Sequence, residues 1–177
     1  MNASMRSKID SLAEKIREAC ELSTPVKMED AVKKLGGQLD WIPSNGEDFE
    51  AKIEKIKNGF KITLVEAAYE KRERFSIAHE LGHLFLHMGY LLDPEKWKYV
   101  GTYTDSVYYR YGYTIEENEA NEFAAAFLMP ESEFLDVAEK HKTSAGYLLE
   151  PISRHFDVSK DAARNRGRWL RIFSWEE

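Results

Sequence analysis

Features that would identify several classes of protein are scarce in this chain of 177 residues. The one cysteine, Cys20, excludes an intrachain disulfide and fits a reducing compartment. No apolar run approaches the roughly 20 residues of a membrane-spanning helix, and the N-terminus lacks the pattern of a signal peptide. The net charge of −6 argues against general nucleic-acid binding. We therefore expect a cytoplasmic protein that does not contact membranes.

The hydrophobic content, 43%, suffices for a packed core, and the residue patterns predict an α+β fold. The clearest β signal is AKIEKIKNGFKITLV, where two alternating segments flank Asn58-Gly59, a pair suited to a type I′ hairpin turn. With a strand at 38–42, we expect a small, mostly antiparallel sheet of about three strands. Helices are predicted at 4–21, 26–35, 72–88 and 115–129, followed by a helical tail with breaks near Gly146, Pro151 and Asp157, whereas the tyrosine-rich residues 90–114 are predicted to be irregular.

The motif H-E-x-x-H at residues 79–83 predicts a metal site. A helix turns 100° per residue, so His79 and His83 lie 40° apart on one face and both imidazoles can reach one ion. Glu80 lies at the edge of that face, where it can contact a water molecule without taking a ligand position. Zinc-dependent hydrolysis needs neutral imidazoles, an open position and a base of this kind. The alternative is a helix that carries two satisfied core histidines.

His87 continues the series by one more turn, but it does not fit as a third ligand. It lies about 12 Å along a straight helix from His79, whereas zinc–nitrogen bonds are about 2 Å long. We expect it to support the site or the end of the helix. The opposite face of this helix is apolar and is predicted to pack on the core; it carries Ile77, Leu81, Leu84, Phe85 and Met88.

The third ligand is expected on the helix at 115–129, where several glutamates compete. Glu117 shares its face with small residues that would allow a close approach to the histidine helix. Asn121, one turn later, can support a histidine ligand through a hydrogen bond. We assign Glu117 as the third ligand, with Glu119 as the second choice. The alternative is that these glutamates are N-terminal charges favoured by the helix dipole.

Two segments, RFSIAHELGHLFLH and ENEANEFAAAFLMP, together resemble the ImmA/IrrE family of metallopeptidases. The resemblance extends over roughly residues 25–170 and is closest to the short, ImmA-type form. It implies a zincin-like fold in which Zn²⁺ is held by His79, His83 and Glu117, with Glu80 as the catalytic base. It also implies a protein substrate, a helix-turn-helix repressor, whose cleavage switches on mobile-element or stress genes.

The chain is expected to divide into a zincin-like core, residues 1–134, and a C-terminal helical segment, residues 135–177, packed on that core. Around Ser159 this segment resembles a helix-turn-helix unit with an excess of basic residues. A DNA-contacting tail is the alternative, but we favour packing and do not expect direct DNA binding.

Three functions compete: a zinc endopeptidase, a zincin-like scaffold that regulates a repressor by binding, and a zinc hydrolase of small molecules. The intact H-E-x-x-H motif favours an enzyme, because a binding module has no need of Glu80. The group that stabilises the oxyanion is left open among the tyrosines of 90–113, His141 and His155. Those tyrosines are either ordinary packing residues or a substrate-binding rim.

Overall fold

The computed structural model describes residues 1–44, 49–66, 70–100, 102–106, 114–144 and 146–175. The predicted α+β fold is confirmed. The helices within these ranges are α1 (Ala3–Ala19), α2 (Met28–Lys34), α3 (Glu70–Gly82), α4 (Pro94–Tyr99), α5 (Ile115–Leu128), α6 (Glu131–Lys140), α7 (Leu149–Phe156) and α8 (Lys160–Trp169). A π-helical turn, His83–His87, continues α3, and the whole helix ends at Gly89, whose φ of 80° is adopted more readily by glycine than by residues with a Cβ.

The main sheet has the order β1-β3-β2-β4, formed by β1 (Gly37–Ile42), β2 (Phe49–Ile56), β3 (Gly59–Val65) and β4 (Thr102–Ser106). Only the β1–β3 pair is parallel among the described strands, so the sheet is mostly antiparallel, as predicted. It has one strand more than the three expected. A separate pair, β5 (Lys142–Thr143) with β6 (Gly146–Tyr147), forms the break predicted near Gly146.

The hairpin between β2 and β3 lies where the sequence predicts it, but its turn type was predicted wrongly. Ile56 pairs with Gly59, so Lys57 and Asn58 are the two turn residues. A type I′ turn requires a positive φ at both central residues. Of these four residues, all described, only Gly59 has one, at 112°. Gly59 is also needed for space, because an added Cβ would lie 2.1 Å from the carbonyl oxygen of Gly36.

Two further predictions about local structure were wrong. The segment predicted to be irregular contains α4, which begins with a side-chain cap from Asp93, and the edge strand β4. Pro151 does not break the tail but lies in the first turn of α7, where a missing N–H removes no helical hydrogen bond. The predicted break at Asp157 and the predicted cap of α8 by Ser159 are both present.

One hydrophobic core joins the sheet to the helices. Alternate residues of β2 and β3, such as Ile53 and Ile62, face it, and so do buried residues of α6 and α7, such as Phe134 and Phe156. The predicted boundary at residue 134 falls inside α6, and the division into two regions stays a prediction. Among the described helices, none is both long and apolar enough to cross a bilayer.

Candidate metal centre

The histidine helix, α3, is a core element whose apolar face is buried as predicted. Ile77, Leu81 and Leu84 have almost no solvent exposure, and Phe85 packs on Phe123 of α5 with ring centroids 5.9 Å apart. Because that face is fixed against the core, the face that carries the histidines is directed toward α5 and held there.

A close crossing brings α3 to α5. At Gly82 an added Cβ would lie 2.9 Å from the Cα of Ala120, so only a glycine allows this separation. From the sequence we expected small residues on the α5 side of the crossing. We did not expect that Gly82, inside the H-E-x-x-H motif, is the residue of α3 that they contact. The close crossing is what lets side chains of both helices meet at one point.

Three side chains converge at the crossing. The Nε2 atoms of His79 and His83 lie 3.0 Å apart. The Glu117 carboxylate lies 3.2 Å from His79 Nε2 and 3.4 Å from His83 Nε2. Within the described ranges, this is the group of His, Cys, Asp or Glu residues that can hold a metal ion. The structure thus brings together the three residues that the sequence predicts as ligands.

The donor atoms fit a tetrahedral cation. With bonds of 2.0–2.1 Å, ligand atoms around zinc are about 3.3 Å apart. The two Nε2 atoms are 3.0 Å apart, and Glu117 places Oε2 3.2 Å from His79 and Oε1 3.4 Å from His83, so its carboxylate spans both histidines at separations close to that value. With an ion bound, the lone pairs of all three atoms would point at it, and the cation would offset the repulsion among them.

The protonation states of these groups also suit a metal. Burial lowers the pKa of the His83 imidazole to about 4, although its hydrogen bond with Glu117 opposes the shift. Burial alone would raise the pKa of the Glu117 carboxyl, but its hydrogen bonds with His79 and His83 outweigh burial and hold the pKa well below its usual range. A neutral imidazole and an ionised carboxylate are the forms that bind a metal.

Glu117, the predicted third ligand, is positioned by the start of α5. The hydroxyl of Thr114 accepts a hydrogen bond from the backbone N–H of Glu117 and caps the helix. One turn later, Asn121 Oδ1 lies 3.0 Å from His79 Nδ1. This is the contact that the sequence predicts for Asn121, and it leaves His79 Nε2 directed at the centre.

Glu119, the second choice as third ligand, does not join this group. Its carboxylate contacts His87 Nε2 at 3.2 Å instead. His87 in turn places its Nδ1 2.8 Å from His83 Nδ1. The sequence predicted a supporting position for His87, but it gave no sign of the π-helical turn or of the link to Glu119.

Glu80 follows His79 on α3 and its side chain is fully buried. The other proposed participants are elsewhere or outside the described residues. His141 ends α6, and His155 contacts Glu133 at 2.8 Å. The side chains of Tyr103, Tyr108, Tyr109, Tyr111 and Tyr113 are not among those described.

Comparisons with known proteins give a family and a fold. Residues 61–167 match the peptidase M78 family profile, described as an IrrE N-terminal-like domain. No curated protein sequence matches significantly. A solved structure of a "Mycobacterium tuberculosis transcriptional regulator" is similar with a TM-score of 0.58 and 17% identity, which concerns the fold alone. The match covers 90% of this chain but only 46% of that one. The chain belongs to the ImmA/IrrE family of metallopeptidases, as the matched profile establishes.

Proposed function

We propose that this protein is a zinc-dependent endopeptidase with His79, His83 and Glu117 as metal ligands and Glu80 as catalytic base. The observation that carries the proposal is the convergence of two Nε2 atoms and one carboxylate within 4.8 Å of one another. Two neutral imidazoles with one carboxylate are a donor set typical of catalytic zinc, which keeps a fourth position open.

The side chains have distinct tasks in peptide hydrolysis. A zinc ion held here would act as a Lewis acid that polarises the scissile carbonyl and acidifies a nearby water molecule. Glu80 would act as the base that takes a proton from the attacking water and as the acid that gives it to the leaving amine. Asn121 keeps the His79 ring oriented, and the cap by Thr114 keeps Glu117 at the start of α5.

The proposed substrate is a helix-turn-helix transcriptional repressor whose cleavage derepresses mobile-element or stress genes. The family resemblance supports a protein substrate. The similar solved structure is that of a transcriptional regulator, which is in keeping with a role in gene regulation. The competing proposal is a scaffold of the same fold that regulates a repressor by binding alone.

Within the C-terminal segment, one basic residue is buried in the core and several others pair with nearby carboxylates, which lowers the positive charge that the segment presents. Arg166 has 1% exposure and is enclosed by carboxylates. Arg154 and Lys160 both pair with Glu150, and Arg164 pairs with Asp161. We therefore propose that residues 135–177 complete the protein core and present a surface for docking a protein substrate.

The first experiment measures zinc per chain by mass spectrometry in the wild type and in Glu117→Ala. We expect near one zinc in the wild type and a clear loss in the variant. Glu116→Ala, one residue earlier on the same helix, is the matched control and should keep its zinc. Zinc in both glutamate variants would contradict the assignment of Glu117, and no zinc in the wild type would contradict the proposed centre.

A second experiment separates the protease from the scaffold. Glu80→Gln preserves the volume of the side chain but removes the base, so we expect it to retain zinc and lose cleavage of a helix-turn-helix repressor. The readout is the set of repressor fragments identified by mass spectrometry. A Glu80→Gln protein that binds zinc, cuts nothing and still relieves repression in cells would establish the scaffold instead.

A further inference from the structure

A buried chain of hydrogen bonds leads away from His83 on the side opposite to the metal centre. His83 Nδ1 lies 2.8 Å from His87 Nδ1, and His87 Nε2 lies 3.2 Å from a carboxylate oxygen of Glu119. His83 is fully buried, and the side chains of His87 and Glu119 are only 6% and 12% exposed. Water is thus largely excluded from both bonds.

The positions of the protons in these two hydrogen bonds follow from what each group can donate or accept. To bind a cation through Nε2, His83 must carry its proton on Nδ1, which therefore donates to His87. His87 accepts on Nδ1, so its own proton is on Nε2. That N–H donates to Glu119, and a carboxylate can only accept. Glu119 thereby fixes the direction of both hydrogen bonds.

The local backbone is unusual where the two histidines lie. A π-helical turn spans His83–His87, and the N–H of Met88 donates to the carbonyl of His83 at 2.9 Å, five residues back. Such turns are rare in proteins, and many of those that occur lie at functional sites. Here the turn contains both histidines, whose ring centroids are 4.9 Å apart.

We propose that His87 and Glu119 are positioning residues that hold His83 in the tautomer and orientation required for metal binding. The proposal rests on the metal centre described above and adds a relay through a second imidazole. His79 is held differently, by one bond to Asn121. Through Glu119, the orientation of the His83 ring depends on α5, the helix that also supplies Glu117.

The first test reads the tautomer of His87 directly. Long-range ¹H–¹⁵N correlation spectra of the histidine-labelled full chain, metal-free and zinc-loaded, should show His87 protonated on Nε2 and bare on Nδ1. A proton on His87 Nδ1 in the wild type would overturn the relay. This measurement does not depend on any variant being folded, and in the metal-free protein it does not depend on zinc binding.

The second test measures zinc affinity by competition with a chromophoric chelator. His87→Phe keeps a ring but removes the acceptor, and Glu119→Leu removes the end of the relay. Loss of an outer hydrogen-bond partner weakens metal binding by about 10- to 100-fold, and we expect that loss in each variant. Because the two residues act in series, the double variant should be no weaker than the weaker single variant.

The control breaks a histidine–glutamate contact outside the centre. His155→Phe removes the 2.8 Å contact with Glu133 and should leave zinc affinity unchanged. Equal losses of zinc affinity in His87→Phe and His155→Phe would overturn the proposal. So would a folded His87→Phe protein with wild-type zinc affinity, or a double variant whose loss is the sum of the two single losses. A wild type that binds no zinc would overturn the proposed function, whereas zinc binding unaffected by these variants overturns only the relay.

Discussion

His79 Nδ1 and Asn121 Oδ1 are 3.0 Å apart, and this contact ties the first residue of the H-E-x-x-H motif to the helix that supplies Glu117. Since the amide oxygen accepts, the His79 proton lies on Nδ1, and the lone pair of Nε2 is directed at the centre. One hydrogen bond therefore sets both the orientation and the tautomer of this imidazole.

Replacing Asn121 by alanine should weaken zinc binding without removing a ligand. We expect an affinity loss of about 10-fold or more, because the His79 ring is then free to rotate or to change tautomer. Chelator competition measures the loss. Asn118→Ala is the control on the same helix; its amide donates to the carbonyl of Thr114 and does not contact a histidine. Equal affinities for the two variants would contradict the assigned role.

The parts of the centre that follow from local geometry were predictable from the sequence. The 40° offset of His79 and His83 depends only on helical pitch. The face shared by Glu117 and Asn121 follows from the same pitch. Both relations survive in the structure because α3 is regular up to Gly82, His83 is only the first residue of the π-helical turn, and α5 is regular at Glu117 and Asn121.

The parts that depend on tertiary packing were not predictable. In the π-helical turn at His83–His87, backbone N–H groups bond to carbonyls five residues back instead of four, and the residue pattern does not encode this difference. The edge strand β4 depends on pairing with β2, whose partner residues, from Glu54↔Thr102 to Phe49↔Ser106, lie 48–57 positions earlier. Arg166 reads as a surface cation in sequence, yet it is buried, because its partners come from α1 and α5.

Removal of the metal should lower thermal stability. A ligand at 1,000 times its dissociation constant stabilises the native state by about 4 kcal/mol. For a chain of this size that corresponds to a decrease in Tm of about 8–16 °C when a chelator removes zinc. Differential scanning calorimetry measures the shift. Glu117→Ala should show no chelator-dependent change, and a wild type insensitive to the chelator would contradict zinc binding by the native fold.

Gly82→Ala should separate α3 from α5. The new Cβ would lie 2.9 Å from the Cα and 3.0 Å from the carbonyl oxygen of Ala120, and this backbone cannot rotate away as a side chain can. Overpacking of this kind costs about 1–3 kcal/mol. Glu117 moves with α5, so zinc affinity should fall as well as the free energy of unfolding. Urea titration and chelator competition measure the two effects.

The control for Gly82→Ala is a core variant remote from the helix crossing. Phe156→Leu removes the stacked contact with Phe134, whose ring centroid is 5.6 Å away, and should lower stability while leaving zinc affinity unchanged. If Gly82→Ala loses stability but binds zinc as the wild type does, the close crossing is not what places Glu117.

Arg166→Met should destabilise the protein strongly. Arg166 Nη1 lies 3.1 Å from Glu122 and 3.3 Å from Asp10, and its Nε donates to the carbonyl of Met129 at 3.1 Å. Its removal leaves the Asp10 carboxylate without this cation and Glu122 with Arg6, whose Nε lies 2.9 Å from it. Breaking a buried pair costs about 3–5 kcal/mol, and the remaining contact with Arg6 places the expected loss at the lower end. The free energy of unfolding in urea is the measurement. Arg154→Ala, which breaks an exposed pair with Glu150, is the control and should leave the urea midpoint unchanged.

A triple variant distinguishes charge from packing at this cluster. Adding Asp10→Asn and Glu122→Gln to Arg166→Met removes the two carboxylate charges that Arg166 balances while keeping similar volumes, so part of the lost stability should return. If stability recovers, the destabilisation of Arg166→Met comes from the buried carboxylate charges. The packing contacts of the Arg166 side chain are missing from both proteins, so they cannot explain a recovery. A triple variant as unstable as Arg166→Met would therefore assign the role of Arg166 to packing and to its bond with Met129, rather than to charge neutralisation between α1, α5 and α8.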